Sequence, residues 1–176
     1  MTKCKNETQN VILIGMPGVG KSTIGVVLAK NMGYRFLDSD LVIQETEGKL
    51  LHELIEENGI EGFLAIEDRI NASIEIEKAV IATGGSAVYG AKAMEHFKET
   101  GMVVYLYLPY EELAERLGDL HQRGVALRAG QTLQELLEER TPLYEKYAEM
   151  TIDCGNKQIR EIVAEIADRM DIFANG

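Results

Sequence analysis

Tryptophan is absent from the 176 residues, proline occurs three times, cysteine twice, and basic side chains number 18 against 29 acidic ones. Each shortage excludes something. Cys4 and Cys154 are too few for a disulfide framework and lack metal-ligand spacing, so a reducing cytoplasm is expected. His52, His96 and His121 stand isolated and add no ligand pattern. The net charge of −11 leaves no basic excess to neutralise a nucleic-acid backbone. No apolar run approaches bilayer length, and the longest, Met102 to Pro109, is strand-sized. Met1 to Asn10 is polar with no apolar stretch before a cleavage site, so no leader is expected and the chain reads as cytosolic.

What is present is an ordinary globular composition, 45% hydrophobic and 27% charged, in a length that suits one domain. Five short apolar runs read as buried strands: Val11–Ile14, Arg35–Leu37, Ala79–Ala82, Met102–Leu108 and Met150–Ile152. Between them the periodicity predicts helices over Lys21–Met32, Asp40–Asn58, Glu61–Ile76, Ala91–Glu99, Glu111–Leu117, Leu133–Glu149 and Gln158–Met170. Alternation of this kind, with strands apolar at nearly every position, indicates α/β architecture: a parallel sheet covered by helices on both faces. The stretch 119–132 breaks the periodicity and reads as a long surface loop, of the length that is usually a functional lid or disordered.

Gly15-Met16-Pro17-Gly18-Val19-Gly20-Lys21-Ser22 matches G-x-x-x-x-G-K-[ST] between an apolar strand and a helical pattern. Glycines there let backbone N–H groups turn toward phosphates, and the helix N-terminus favours negative charge. Lys21 is expected to reach the β- and γ-phosphates of ATP and Ser22 to ligate Mg²⁺. Gly15, Gly18, Val19, Gly20, Lys21, Ser22 and Thr23 are the candidate loop contacts to ATP. The second strand runs into Leu37-Asp38-Ser39-Asp40, which sets two carboxylates on the edge where open α/β sheets bind ligands. Strand alternation would point Asp38 and Asp40 to the same side, and a blander role for Asp40 is to cap the next helix. Thr83-Gly84-Gly85-Ser86 follows the third strand and permits close approach of a ligand or a tight turn.

Taken with Phe63, Glu67, Arg116, Arg123 and Arg140-Thr-Pro-Leu-Tyr144, these segments resemble the shikimate kinase family along nearly the whole chain. The resemblance implies a three-layer α/β/α P-loop fold with a five-stranded parallel sheet, a mobile lid at about 119–132, and an acceptor-binding helical region at about 40–76. It also implies roles. Asp40 would bind the acceptor's hydroxyls and take a proton, and Asp38 would lie near Mg²⁺. Gly84 and Gly85 would offer backbone contacts, and Arg140 would pair with a carboxylate. Arg123 would close over the transferring phosphate, and Arg116 would lie along the adenine. Catalysis would thus rest on Lys21, Asp40 and Arg123.

Two positions and one segment depart from the family pattern. Leu64 stands where the family's Phe-Arg-x-x-Glu has arginine, Ser86 replaces the third glycine of a triple, and Gly124-Val125-Ala126-Leu127 follows Arg123 in place of Pro-Leu-Leu. Arg69 cannot replace the missing arginine, because five residues along a helix face about 140° away. Arg128 is the other nearby cation. The expected activity is ATP-dependent phosphorylation of shikimate by a cytoplasmic monomer, without nucleic acid or membrane as partner. The alternatives are a related hydroxylated acceptor and a regulatory module that binds ATP and transfers nothing.

Overall fold

Val11-Ile12-Leu13-Ile14 is apolar at every position and becomes the middle strand of the sheet, with each of the four side chains fully buried. Strands buried on both faces need apolar residues without alternation, which is what these runs supply. The computed structural model describes residues 9–118 and 125–175. Its strands are β1 (Asn10–Ile14), β2 (Arg35–Asp38), β3 (Ala79–Ala82), β4 (Gly101–Tyr107) and β5 (Met150–Asp153). All pair in parallel in the order β2-β3-β1-β4-β5, with Leu13 aligned to Ala82 on one side and Val104 on the other.

The helices are α1 (Lys21–Met32), α2 (Ser39–Glu47), α3 (Leu51–Asn71), α4 (Ala91–Thr100), α5 (Tyr110–Leu117), α6 (Leu133–Tyr147) and α7 (Ile159–Asn175). A three-residue 3₁₀ turn, Ala87–Tyr89, precedes α4. Right-handed crossovers decide which face each helix covers. The chain leaves β1 toward β2 through α1, then returns toward β4 through α2, α3 and α4, so these lie on the opposite face. α7 packs against α1, while α4 and α6 pack on β4. Because the connections after β1 and β3 depart in opposite directions, a crevice opens beyond their C-terminal ends.

The five expected strands stand within one residue of their expected bounds; among the helices, α6 stops at Tyr147 rather than Glu149, α7 runs on to Asn175 rather than Met170, and the second and third differ most. Gly48 ends the second early: at φ 67° its amide donates to Gln44 O, and α2 stops at Glu47 rather than running to Asn58. The next helix starts at Leu51 and stops at Asn71 instead of Ile76, with a kink at Gly59 (φ 69°, ψ 176°) where the sequence pattern also breaks. Residues 125–132 form neither helix nor strand, and the remainder of the expected lid lies outside the described residues. A second, smaller core of Ile43, Leu54, Phe63, Ile70 and Ala126 ties α2 and α3 to the segment that leads into α6. Among the described residues no helix is long and apolar enough to cross a membrane.

Candidate active site

The loop after β1 folds as its glycines require. Gly15 has φ 148°, and a Cβ there would stand 2.6 Å from Leu106 O on the neighbouring strand β4. Gly18 and Gly20 also take positive φ, and Gly20 delivers the chain into α1 without any side-chain cap. The first-turn amides of α1 therefore face the crevice with no acidic residue nearby on the helix, the arrangement that attracts an anion.

Lys21, the first residue of α1, is 7% exposed. Its ammonium donates to the carbonyl oxygens of Gly15 (2.7 Å) and Met16 (2.8 Å), so the side chain lies back along the loop. Burial pulls its pKa down to about 7, and the Asp40 charge opposes that shift. Ser22 Oγ donates to Asp38 Oδ2 at 3.1 Å, which joins the two expected Mg²⁺ ligands.

Asp38 also accepts from the Asp40 amide at 3.0 Å and is the N-cap of α2. The cap is therefore Asp38 and not Asp40, for which capping was the blander reading, and Asp40 lies in the first turn of the helix, within the range predicted for it, so strand alternation does not set its direction. Asp40 is thereby free to point inward. Burial, then the charge of Asp38, pushes its carboxyl up to about 6, with Lys21 pulling the other way.

Beyond β3, Thr83 Oγ1 donates to Leu13 O at 2.8 Å and ties the Gly84-Gly85 turn to the central strand. A Cβ on Gly84 would lie 2.7 Å from Asp40 Oδ1 and 3.0 Å from Glu67 Oε1. One on Gly85 would lie 2.7 Å from the ring of Pro17 and 2.9 Å from Arg140 Nη1. Neither position tolerates a side chain without displacing a candidate site residue. Tyr144, one turn past Arg140 on α6, stacks on Tyr105 and donates to Gly85 O at 2.6 Å. Arg140 is 1% exposed, donates to Ala126 O (2.9 Å) and the Tyr89 hydroxyl (3.4 Å), and lies over the Tyr89 ring.

Lys21, Ser22, Asp40, Gly84, Gly85, Ser86 and Arg140 line one cavity of about 400 Å³, with Phe63, Val125 and Ala126 on its apolar side. Arg116 on α5 reaches the rim of the loop, where Nη1 donates to Val19 O at 3.3 Å. Arg123 lies outside the described residues. The two spare cations do not enter the cavity: Arg69 pairs with Glu47, and Arg128 pairs with Glu139 and Glu61.

Glu67 and Ser86 carried no assigned role in the expected site, and the structure joins them there. Glu67, 2% exposed, accepts from Ser86 Oγ at 2.7 Å, and burial pushes its carboxyl up to about 7 against that hydrogen bond. Its position one turn after Phe63 on α3 was the available signal, since a glutamate is rarely buried unless partnered.

Comparison with known proteins adds the family. Residues 17–171 match the family model for shikimate kinase. The shikimate kinase of Nitrosococcus oceani is 34% identical over 171 residues, covering 95% of this chain and 90% of that one. Shikimate kinase 2 of Yersinia enterocolitica is 34% identical over 164 residues, covering 90% and 94%. Among solved structures, the Acinetobacter baumannii shikimate kinase in complex with shikimate superposes with a TM-score of 0.84 at 33% identity, covering 99% of this chain and 98% of that one. A Sinorhizobium meliloti gluconokinase, at a TM-score of 0.53 and 23% identity, shares the fold alone.

Proposed function

The chain belongs to the shikimate kinase family, and from that membership we propose that it transfers the γ-phosphate of ATP to a hydroxyl of shikimate. The observation that carries this reading is the convergence of Lys21, Asp40, Arg140 and the Gly84-Gly85 backbone on a single cavity beside the phosphate loop. ATP enters with its phosphates on the loop from Gly15 to Thr23 and its adenine beside Arg116. Arg140 holds the acceptor's carboxylate, Asp40 and the glycine backbone its hydroxyls. The acceptor oxygen attacks the γ-phosphorus, its proton passes to Asp40, and the bond to the bridging oxygen breaks to release ADP. A carboxyl titrating at about 6 suits that task, because it is ionised near neutrality yet still basic. Lys21 leaves the Gly15 and Met16 carbonyls to follow the transferring charge, and Arg123 closes from the lid.

Ser22 and Asp38 offer adjacent hard oxygens, the donor type Mg²⁺ takes together with phosphate oxygens and water. When bound there, Mg²⁺ neutralises charge on the β- and γ-phosphates. The reading places the acceptor region at about 40–76 and the lid at about 119–132. It takes the protein to be a cytoplasmic monomer with no nucleic-acid or membrane partner. A coupled ADP-release assay across shikimate, quinate, gluconate and nucleoside monophosphates tests it. Shikimate should give the highest kcat/KM, with turnover lost in excess EDTA and restored by Mg²⁺. No shikimate-dependent ADP release would overturn the assignment.

Leu64 gives a second test. It is half-buried against the smaller core and borders Tyr89 and Arg140. Leu64→Arg should lower KM for shikimate by roughly tenfold, because a second guanidinium can share the carboxylate. Thermal melting should fall modestly, since charge replaces an apolar contact and sits beside Arg140. An unchanged or higher KM in a folded variant would mean that the acceptor's carboxylate does not lie near this turn of α3.

A further inference from the structure

Glu67 and Arg140 are an acid and a base, each almost fully buried, on two helices that face the same pair of glycines. Glu67 Oε1 rests against Gly84 and Arg140 Nη1 against Gly85. They nevertheless form no ion pair. Buried opposite charges ordinarily meet, because pairing offsets the cost of removing each from water. Here each is tied elsewhere. Arg140 is held by Ala126 O and the Tyr89 hydroxyl, and Glu67 Oε2 is held by Ser86.

The Ser86 bond is a choice the local backbone does not dictate. Ser86 precedes the 3₁₀ turn as its N-cap residue, where a serine hydroxyl commonly accepts from a backbone amide. It makes no such bond and donates to Glu67 instead. Among the described residues no other group hydrogen-bonds to the Glu67 side chain, and Oε1 has no partner there. Leu64, one helical turn earlier on the same face of α3, carries no donor.

We infer that Ser86 is a positioning residue of the acceptor site, holding Glu67 against Gly84 so that Arg140 stays unpaired and available to the acceptor's carboxylate. Without the hydroxyl, Glu67 would be a buried carboxylate with no donor, and the Arg140 guanidinium, against the adjacent glycine, is the cation whose charge acts on it. Pairing the two would satisfy both and cancel the charge the acceptor needs. The inference rests on the functional reading above for the acceptor's identity, while the geometry it predicts does not depend on that identity.

The test has a structural and a kinetic arm. In a crystal structure of Ser86→Ala, Glu67 should have moved to ion-pair distance from Arg140. Glu67 remaining against Gly84 would overturn the inference whatever the acceptor is. Kinetically, at alkaline pH, where Glu67 is ionised, Ser86→Ala should raise KM for shikimate by at least about tenfold, with kcat and KM for ATP within about twofold of the parent. Ser86→Thr, which keeps the hydroxyl, should restore the parent KM. In a Glu67→Gln background, Ser86→Ala should add no further change, because no carboxylate remains to capture Arg140. An equal rise in that background would mean that the hydroxyl acts on the acceptor directly, and an unchanged KM in the single variant would mean that it acts on neither. Melting curves keep these effects separate from loss of fold. A parent with no shikimate turnover counts against the functional reading, and the crystal structure then decides the inference alone.

Discussion

Lys21→Ala is expected to lower kcat/KM by about a thousandfold or more while leaving a cooperatively folded protein, since a single preorganised donor to developing charge is worth about 10²–10³ and this one carries a full charge. The stability consequence runs opposite to the catalytic one. Lys21 is buried at the base of the loop, and burial holds its pKa at about 7, well below that of an exposed lysine. Between about pH 7 and pH 10.5 the unfolded chain binds a proton that the folded chain does not, so stability rises with pH across that window. Below pH 7 the cost of the buried ammonium is fully present. A Lys21→Met variant removes the charge and keeps the apolar stem. It should melt at least as high as the parent at pH 6.5, and its advantage should shrink toward pH 10. Both arms are needed. Activity within tenfold of the parent would remove the phosphotransfer assignment, and a large drop in melting temperature for Lys21→Met would mean that the two carbonyl contacts hold the loop together. The expected pattern is that of a residue retained for chemistry at the expense of stability.

The sheet was legible because its signal is local and redundant. Val11–Ile14 or Ala79–Ala82 can only be buried, and their spacing by amphipathic stretches leaves parallel pairing as the consistent arrangement. The phosphate loop was legible for the same reason: its glycines are demanded by φ and by the approach of Leu106, which any chain of this fold must satisfy at that turn. The end of α2 could have been read from Gly48, but the amphipathic pattern continues across it and outweighs a single glycine. Assigning the cap to Asp38 rather than Asp40 turns on two residues of register, the least reliable quantity in a sequence reading. The contact between Ser86 and Glu67 was not legible. Nineteen positions separate them, and neither residue type announces a partner. What joins them is the packing of α3 under the turn after β3, which the sequence encodes only through the whole fold. The same holds for Arg128, whose pairing with Glu61 and Glu139 follows from where the segment 125–132 lies.

Asp40→Asn is expected to lower kcat by about 10²–10⁴-fold, the range for removing a positioned proton acceptor, with KM for ATP changed by only a few-fold. The substitution is nearly isosteric, so it should keep the close fit against Gly84, where Asp40 Oδ1 already leaves no room for a Cβ. It leaves the capping bond of α2 intact, because that bond runs from the Asp40 amide to Asp38 and uses no atom of the Asp40 side chain. Folding should therefore survive, and the loss should fall on chemistry. An electrostatic effect accompanies it. The Asp40 charge holds the Lys21 pKa up against burial, so removing it should lower that pKa further. Part of any change in KM for ATP would come from a less protonated Lys21 before nucleotide arrives, and it should shrink as the pH is lowered toward 6. Loss of proton acceptance has no such remedy, because the amide cannot take a proton at any accessible pH. Measuring kcat and both KM values from pH 6 to 9 separates the two. A kcat within tenfold of the parent would make Asp40 a binding carboxylate rather than the proton acceptor. The attacking hydroxyl would then lose its proton to the phosphate itself, as a loose transition state with little nucleophile activation permits.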